Sequence, residues 1–239
     1  MSPGGRVSAV QFRPHKFDVD RNRERLVALV SEAATASDLV VTPEMSNGGY
    51  RFTSVEQAKR VCEPFDGPLF QALSRTARQH EIHIVAGYAE ACGEQLFNSA
   101  MVIAPTGELL FNYRKTLLFY ADEVWAQPGD SGYFSFETET VGRVGLGICM
   151  DINDPRFILW MWRQRLDVLA FPTNWVEEGL DVHHYWNARL NGCDVALVAA
   201  NSYGPDGDMA FSGRSGVLRR GAVLAAAGPT GDGWVATGI

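Results

Sequence analysis

Residues 141–155, reading VGRVGLGICMDINDP, constrain this chain more tightly than any other stretch. Val141, Val144, Leu146 and Ile148 make an apolar run rich in β-branched residues, the composition of a buried strand. The run climbs to Cys149 and then breaks into Met150, Asp151, Ile152, Asn153, Asp154 and Pro155, where Asp154-Pro155 suits a helix N-cap and first helical residue. Cys149 is therefore predicted where a buried strand ends and the chain turns sharply, on the rim where α/β sheets gather ligands. A thiol on such a bend faces substrate, and neighbouring backbone N–H groups can receive an oxyanion. A structural thiol is the competing explanation, because unpaired cysteine is among the most buried residue types.

Composition narrows the class. A length of 239 residues suits one domain with a sizeable core, expected over 1–239, and 46% hydrophobic with 21% charged residues is ordinary for a globular protein. The net charge of −7 and the lack of a Lys/Arg-rich run argue against a nucleic-acid partner. No apolar stretch has membrane-spanning length, and the opening MSPGGRVSAVQF lacks the apolar region of a signal peptide. Cys62, Cys92, Cys149 and Cys193 are widely spaced with no CxxC pair. That spacing fits reduced thiols in a cytoplasmic protein better than a disulfide framework or a zinc site.

Along the chain, strands are predicted at 6–12, 39–41, 82–88, 96–104, 168–171, 195–201 and 234–236, and helices at 18–36, 68–80, 157–166 and 182–191. Leu109, Leu110 and Phe111 should return as a hairpin partner after the turn at 105–108, and a second hairpin within 212–227 should turn at Arg220-Gly221. The connection 114–131 has few periodic apolar positions, and loops that long in a compact domain are usually functional or disordered. Strands alternating with helices, plus two hairpins, point to a mixed sheet with helices on its faces: a layered α/β sandwich.

Three predicted strands finish in a polar residue. Glu44 follows Leu39-Val40-Val41, Cys149 follows the opening run, and Asn174 follows 168–171. A carboxylate beside a thiol supplies a general base for a cysteine nucleophile. Histidine is the commoner base, so a Cys–His enzyme stays open, although none of His15, His80, His83, His183 and His184 lies in a catalytic signature. Lys115 closes the hairpin strand and opens the long loop. A fixed positive charge there would stabilise a tetrahedral intermediate, where a solvated lysine would do nothing, and Glu123 in the same loop could hold its ammonium in place.

Taken together, Pro43-Glu44 with Gly49-Tyr50, then Tyr113-Arg114-Lys115-Thr116, then Gly147-Ile148-Cys149-Met150-Asp151 resemble the motifs of the nitrilase, or carbon–nitrogen hydrolase, superfamily. They stand in the family's order and at about its spacing, and the likeness extends over nearly the whole chain. The resemblance implies an α-β-β-α sandwich in which Cys149 attacks an amide carbon and Glu44 moves the proton. Lys115 and the Met150 N–H would hold the oxyanion, and Glu123 would match the family's second glutamate, which orients the lysine. It implies no metal and no organic cofactor.

Met150-Asp151 stands where true nitrilases usually have Trp-Glu, which favours amide over nitrile hydrolysis. The residues after Cys149, with Asp122-Glu123-Val124-Trp125, look similar to the branch that deamidates N-terminal asparagine or glutamine of proteins. The expected partner is thus a small-molecule amide or a peptide N-terminus, with small ω-amides and carbamoyl amino acids as open alternatives. Acyl transfer, or a silent scaffold on the same fold, also stays open. Tyr50, Asn174 and Trp175 are expected to line the acyl pocket. The apolar helix carrying Phe157, Ile158, Trp160, Met161 and Trp162 reads either as core or as a homodimer surface. Gly145 and Gly147 lack a dinucleotide fingerprint and should permit close backbone approach.

Overall fold

The computed structural model describes residues 4–239, so Met1, Ser2 and Pro3 of the stretch read for a signal peptide lie outside the described residues. The apolar runs pair into two six-stranded sheets. In the first, β1 (Arg6–Gln11), β2 (Leu39–Val41) and β3 (His83–Cys92) run parallel. On one side β4 (Gln95–Ile103) and β5 (Leu109–Arg114) follow antiparallel, and on the other β14 (Gly233–Gly238) lies antiparallel to β1. The order is β14-β1-β2-β3-β4-β5.

The second sheet repeats this plan. Its parallel centre is β7 (Gly142–Leu146), β8 (Val168–Thr173) and β9 (Ala196–Asn201). Antiparallel β6 (Ser135–Thr138) flanks β7, while β12 (Gly216–Arg219) and β13 (Ala222–Ala226) extend the other edge. A separate hairpin, β10 (Tyr203–Asp206) and β11 (Met209–Ser212), turns at Gly207-Asp208.

Parallel neighbours require crossovers, and helices supply them. α1 (Val19–Ala34) joins β1 to β2; the short α2 (Val55–Lys59) and α3 (Pro68–His80) join β2 to β3. In the second half, α4 (Pro155–Gln164) joins β7 to β8 and α5 (Val182–Arg189) joins β8 to β9. Leu26, Leu29, Leu69 and Leu73 pack on Val10, Val40 and Ile84 of the first sheet. Phe157, Met161 and Trp186 pack on Leu169, Phe171 and Leu197 of the second. Between the sheets Val7, Val41 and Val85 meet Val144, Leu146, Val168 and Val198. The result is an α-β-β-α sandwich whose central strands are buried on both faces, hence their nearly unbroken apolar runs.

Local chemistry sets the element ends. Asp154 caps α4 by accepting from the Arg156 N–H, with Pro155 as first helical residue. Asp181 caps α5 by accepting from the His183 and His184 N–H groups, which places both histidines in a capped first turn. Helix α2 and strands β6, β10 and β11 are too short for a hydrophobic period to show in the sequence. The roles of Gly145 and Gly147 also need correction. They make room for the Leu166 and Phe157 side chains rather than for neighbouring backbone; a Cβ at Gly147 would lie 2.5 Å from Phe157 Cζ.

On α4, Phe157 and Met161 are core, whereas Leu159 and Trp162 are 44% and 63% exposed. Among the described residues no helix is long and apolar enough to cross a membrane.

One glycine positions the rim directly. A Cβ at Gly87 would lie 2.5 Å from the Pro43 carbonyl oxygen and 2.7 Å from Glu44 Cα. Gly87→Ala is expected to destabilise by about 1–3 kcal/mol through overpacking, lowering Tm by roughly 2–12 °C at this chain length. Gly233→Ala, with nothing within 4 Å, should shift Tm by less than about 2 °C. Thermal melts of the two variants check this.

Candidate active site

The parallel centres of both sheets bring their C-terminal ends to one rim. Glu44 follows β2, Cys149 follows β7 and Asn174 directly follows β8. Strand β5, antiparallel to β4 and so parallel to β3, delivers Lys115 to the same rim. There the Lys115 ammonium is fully buried between two buried carboxylates. It donates to Glu44 Oε1 at 2.7 Å and to Asp122 Oδ2 at 2.6 Å. Asn98, on β4, bridges the same two acids, with its Nδ2 2.6 Å from Glu44 Oε1 and 3.2 Å from Asp122 Oδ1. Asp122 Oδ2 also accepts from the Phe119 N–H at 3.0 Å.

The lysine's second partner is thus Asp122 and not Glu123. In the turn 119–126 Asp122 points inward, and Glu123 beside it faces solvent. On this turn Ala121, Asp122, Trp125 and Ala126 are buried while Glu123 and Val124 are exposed, which leaves Asp122 as the carboxylate at the ammonium.

The two acids are held differently. Asp122 has both oxygens engaged, whereas Glu44 Oε2 is buried with no hydrogen-bond partner. Burial, followed by repulsion from Asp122, raises the Glu44 pKa above its ordinary 4.5 despite attraction to Lys115. For Lys115, attraction to Asp122 and Glu44 outweighs its own burial, which is the largest single influence, and raises its pKa, so it stays charged.

Cys149 is 5% exposed and sits at φ +44°, a left-handed conformation strained for a side-chain-bearing residue. That strain turns the thiol out of β7 toward the rim. Burial, with the Glu44 charge adding to it, pushes the thiol pKa up to about 12. Both influences favour the protonated thiol at neutral pH. Met150 follows in the first turn of a short 3-10 segment (Cys149–Asn153), where backbone N–H groups have no partner inside the helix.

Asp151 locks this turn to the lysine loop. Its carboxylate accepts from Tyr113 Oη at 2.7 Å, Thr116 Oγ1 at 2.8 Å, and the N–H groups of Leu117 and Ile148, both at 2.9 Å.

A pocket of about 200 Å³ opens over Cys149 and Met150, walled by Phe119, Asn174, Trp175 and Tyr185 among others. Asn174 is fixed by donating to the Glu44 carbonyl at 2.9 Å, and Trp175 by donating its N–H to Asn201 Oδ1 at 2.8 Å. Tyr50 stands elsewhere than expected. It is buried under the charged cluster, its ring 5.9 Å from Lys115 Nζ, and it lines a neighbouring small cavity instead of this wall. Among the described residues no histidine lines the pocket; His183 Nε2 is instead paired with the Arg214 carbonyl at 2.7 Å.

The carbon-nitrogen hydrolase family model matches residues 6–235. The chain belongs to the carbon–nitrogen hydrolase family. A protein named nitrilase from Pyrococcus abyssi is 32% identical over 212 residues, covering 88% of this chain and 79% of that protein. The protein N-terminal amidase of Schizosaccharomyces pombe is 28% identical over 260 residues, covering 89% and 90%. Among solved structures, a variant of the amidase from Nesterenkonia sp. AN1, showing covalent addition of the acetamide moiety of fluoroacetamide at the active site cysteine, superposes with a TM-score of 0.84. It is 21% identical and covers 100% of this chain and 91% of that one. This carbon–nitrogen hydrolase is therefore an enzyme of the amidase and nitrilase kind.

Two residues around the hydrolase's lysine escaped the sequence reading. Asn98 left a trace, a buried amide inside the apolar run of β4, and Asp122 left one only as the first residue of the Asp122-Glu123-Val124-Trp125 stretch. Asp122→Asn is expected to lower kcat/KM by about 10²-fold, the scale of a misplaced reacting group. Glu123→Gln, on the surface, should stay within about twofold of the parent. Steady-state kinetics of the two variants separate the neighbouring acids.

Proposed function

We propose that this enzyme is a cysteine-dependent amidase with one carbon–nitrogen hydrolase domain over 1–239, converting an amide to an acid and ammonia through a thioester. The observation that carries the reading is the partnerless Glu44 Oε2. One oxygen of that carboxylate is fixed by Lys115 and Asn98, and the other is open to take a proton beside a protonated thiol. The covalent acetamide on the cysteine of the Nesterenkonia amidase supports the same role for Cys149.

In the proposed reaction Cys149 Sγ attacks the amide carbon as its proton passes to Glu44. Lys115 Nζ and the Met150 N–H receive the oxyanion. Collapse of the tetrahedral intermediate breaks the C–N bond; Glu44 returns the proton to the leaving nitrogen, and ammonia departs. Water then attacks the thioester and gives a proton to Glu44. The acid leaves and Sγ regains the proton. The raised Glu44 pKa makes it a stronger base than an ordinary glutamate. Asp122 touches no reacting atom; it holds the lysine. The substrate is a small or ω-amide, or the side-chain amide of an N-terminal Asn or Gln, the last supported by the fission-yeast relative.

Ammonia release from a panel of aliphatic amides, ω-amides, a carbamoyl amino acid, a nitrile and peptides beginning with Asn or Gln should depend on Cys149, with Cys149→Ala silent. Glu44→Gln should be equally silent in turnover. Release that persists in Cys149→Ala contradicts the reading. Because Glu44 works only when ionised, activity falls as pH drops through its raised pKa, and the acid limb of kcat/KM lies above 4.5. Asp122→Asn removes a repelling charge and should move that limb to lower pH.

A further inference from the structure

The pocket over Cys149 has an unusual charge make-up. Phe119, Trp175 and Tyr185 give it three aromatic walls, and among the described residues the exposed Glu178 is the only charged side chain lining it. The neighbouring Glu177 pairs with Arg214 at 3.2 Å, but among the described residues no Lys or Arg pairs with Glu178. Among the described residues no lysine or arginine lines the wall. The nearest cation in the rim, Lys115, is fully buried and already held by two carboxylates. Beyond the Lys115 and Met150 groups assigned to the oxyanion, an acyl group entering here therefore meets aromatic side chains, the amides of Asn153 and Asn174 and one carboxylate, and no further cation among the described residues.

We infer that the acyl part of the substrate carries an ammonium group, which Glu178 and the aromatic walls receive. This rests on reading the pocket over Cys149 as the acyl site. Ring faces attract cations through their quadrupole, and a carboxylate at the rim of an aromatic site adds direct Coulomb attraction. Acyl groups bearing a carboxylate, such as N-carbamoyl amino acids or the half-amides of dicarboxylic acids, instead approach Glu178 with like charge. The protein's net charge of −7 compounds that repulsion. Two sources share the required chemistry: a free amino-amide, and the α-ammonium of a peptide beginning with Asn or Gln.

Calorimetric binding to Cys149→Ala tests the inference without needing turnover. One arm compares 5-aminopentanamide with hexanamide, and the other compares an Asn-initiated dipeptide amide with its N-acetylated form. At least one ammonium-bearing probe should bind about tenfold tighter than its neutral counterpart, and the arm showing the preference identifies the source. Adding Glu178→Gln should cut the preference to about twofold or less. Adding Glu178→Lys should turn it toward the half-amide of glutaric acid, and adding Glu177→Gln should leave it unchanged.

Equal or tighter binding of the neutral probes overturns the inference. So does a preference that survives Glu178→Gln, or no measurable binding of either ammonium-bearing probe. Ammonia release by the parent enzyme is scored separately. A binding preference without Cys149-dependent release would sink the amidase reading and leave the ammonium site standing, and release without the preference would do the reverse.

Discussion

One ammonium buried between two carboxylates organises this molecule. Lys115, Glu44 and Asp122 come from a strand end in one half of a sheet, another strand end across it, and an irregular loop, and none of the three is solvated. Charges so placed are tolerable only when paired and hydrogen-bonded, and removing one partner of such a set typically costs about 3–5 kcal/mol. The surroundings meet that demand. Asn98 bridges the two acids, and the Phe119 N–H closes the loop onto Asp122. Gly87 lets the Glu44 backbone lie flat against β3, and Asp151 ties the loop after Lys115 to the turn that carries Cys149.

In the proposed reaction the charge arrangement selects a mode of nucleophile activation. A cation near a cysteine often yields a resting thiolate, but here burial and the Glu44 charge outweigh the attraction of Lys115. Both favour the protonated form of the thiol. A group in that state needs a base at the moment of attack, and Glu44, its pKa raised and one oxygen left open, has the properties of one. The same charge pair then suits both halves of the proposed reaction, since the proton can go to ammonia in one and come from water in the other. The strained backbone at Cys149 fits this division of labour: it aims the sulfur, and the cluster beside it handles charge.

Glu44, Lys115 and Cys149 were legible because each stands within three residues of a strand end and sits within a short motif, so strand pattern and motif order located them independently. The sandwich was legible for the same reason, through buried runs alternating with amphipathic ones. What escaped was set by tertiary geometry. Whether Asp122 or Glu123 turns inward depends on how the loop 115–131 folds back on β5, which no period in the sequence encodes. Tyr50 carries the same aromatic character in a pocket wall or under an ion cluster, and only the packing of β10 and β11 decides which. Glycines 145 and 147 advertise close approach without saying that helix side chains, rather than backbone, make it.

The most direct test of this picture is the protonation state of Cys149. In protein with Cys62, Cys92 and Cys193 changed to serine, ultraviolet thiolate absorbance can be followed from about pH 5 to about pH 11, a window that brackets ordinary thiols. If Glu44 and burial govern the sulfur, no thiolate appears across the neutral range and deprotonation waits until about 12. A thiolate titrating below the ordinary thiol value of 9.0 would mean that Lys115 activates the cysteine as an ion pair, and would contradict the role assigned to Glu44.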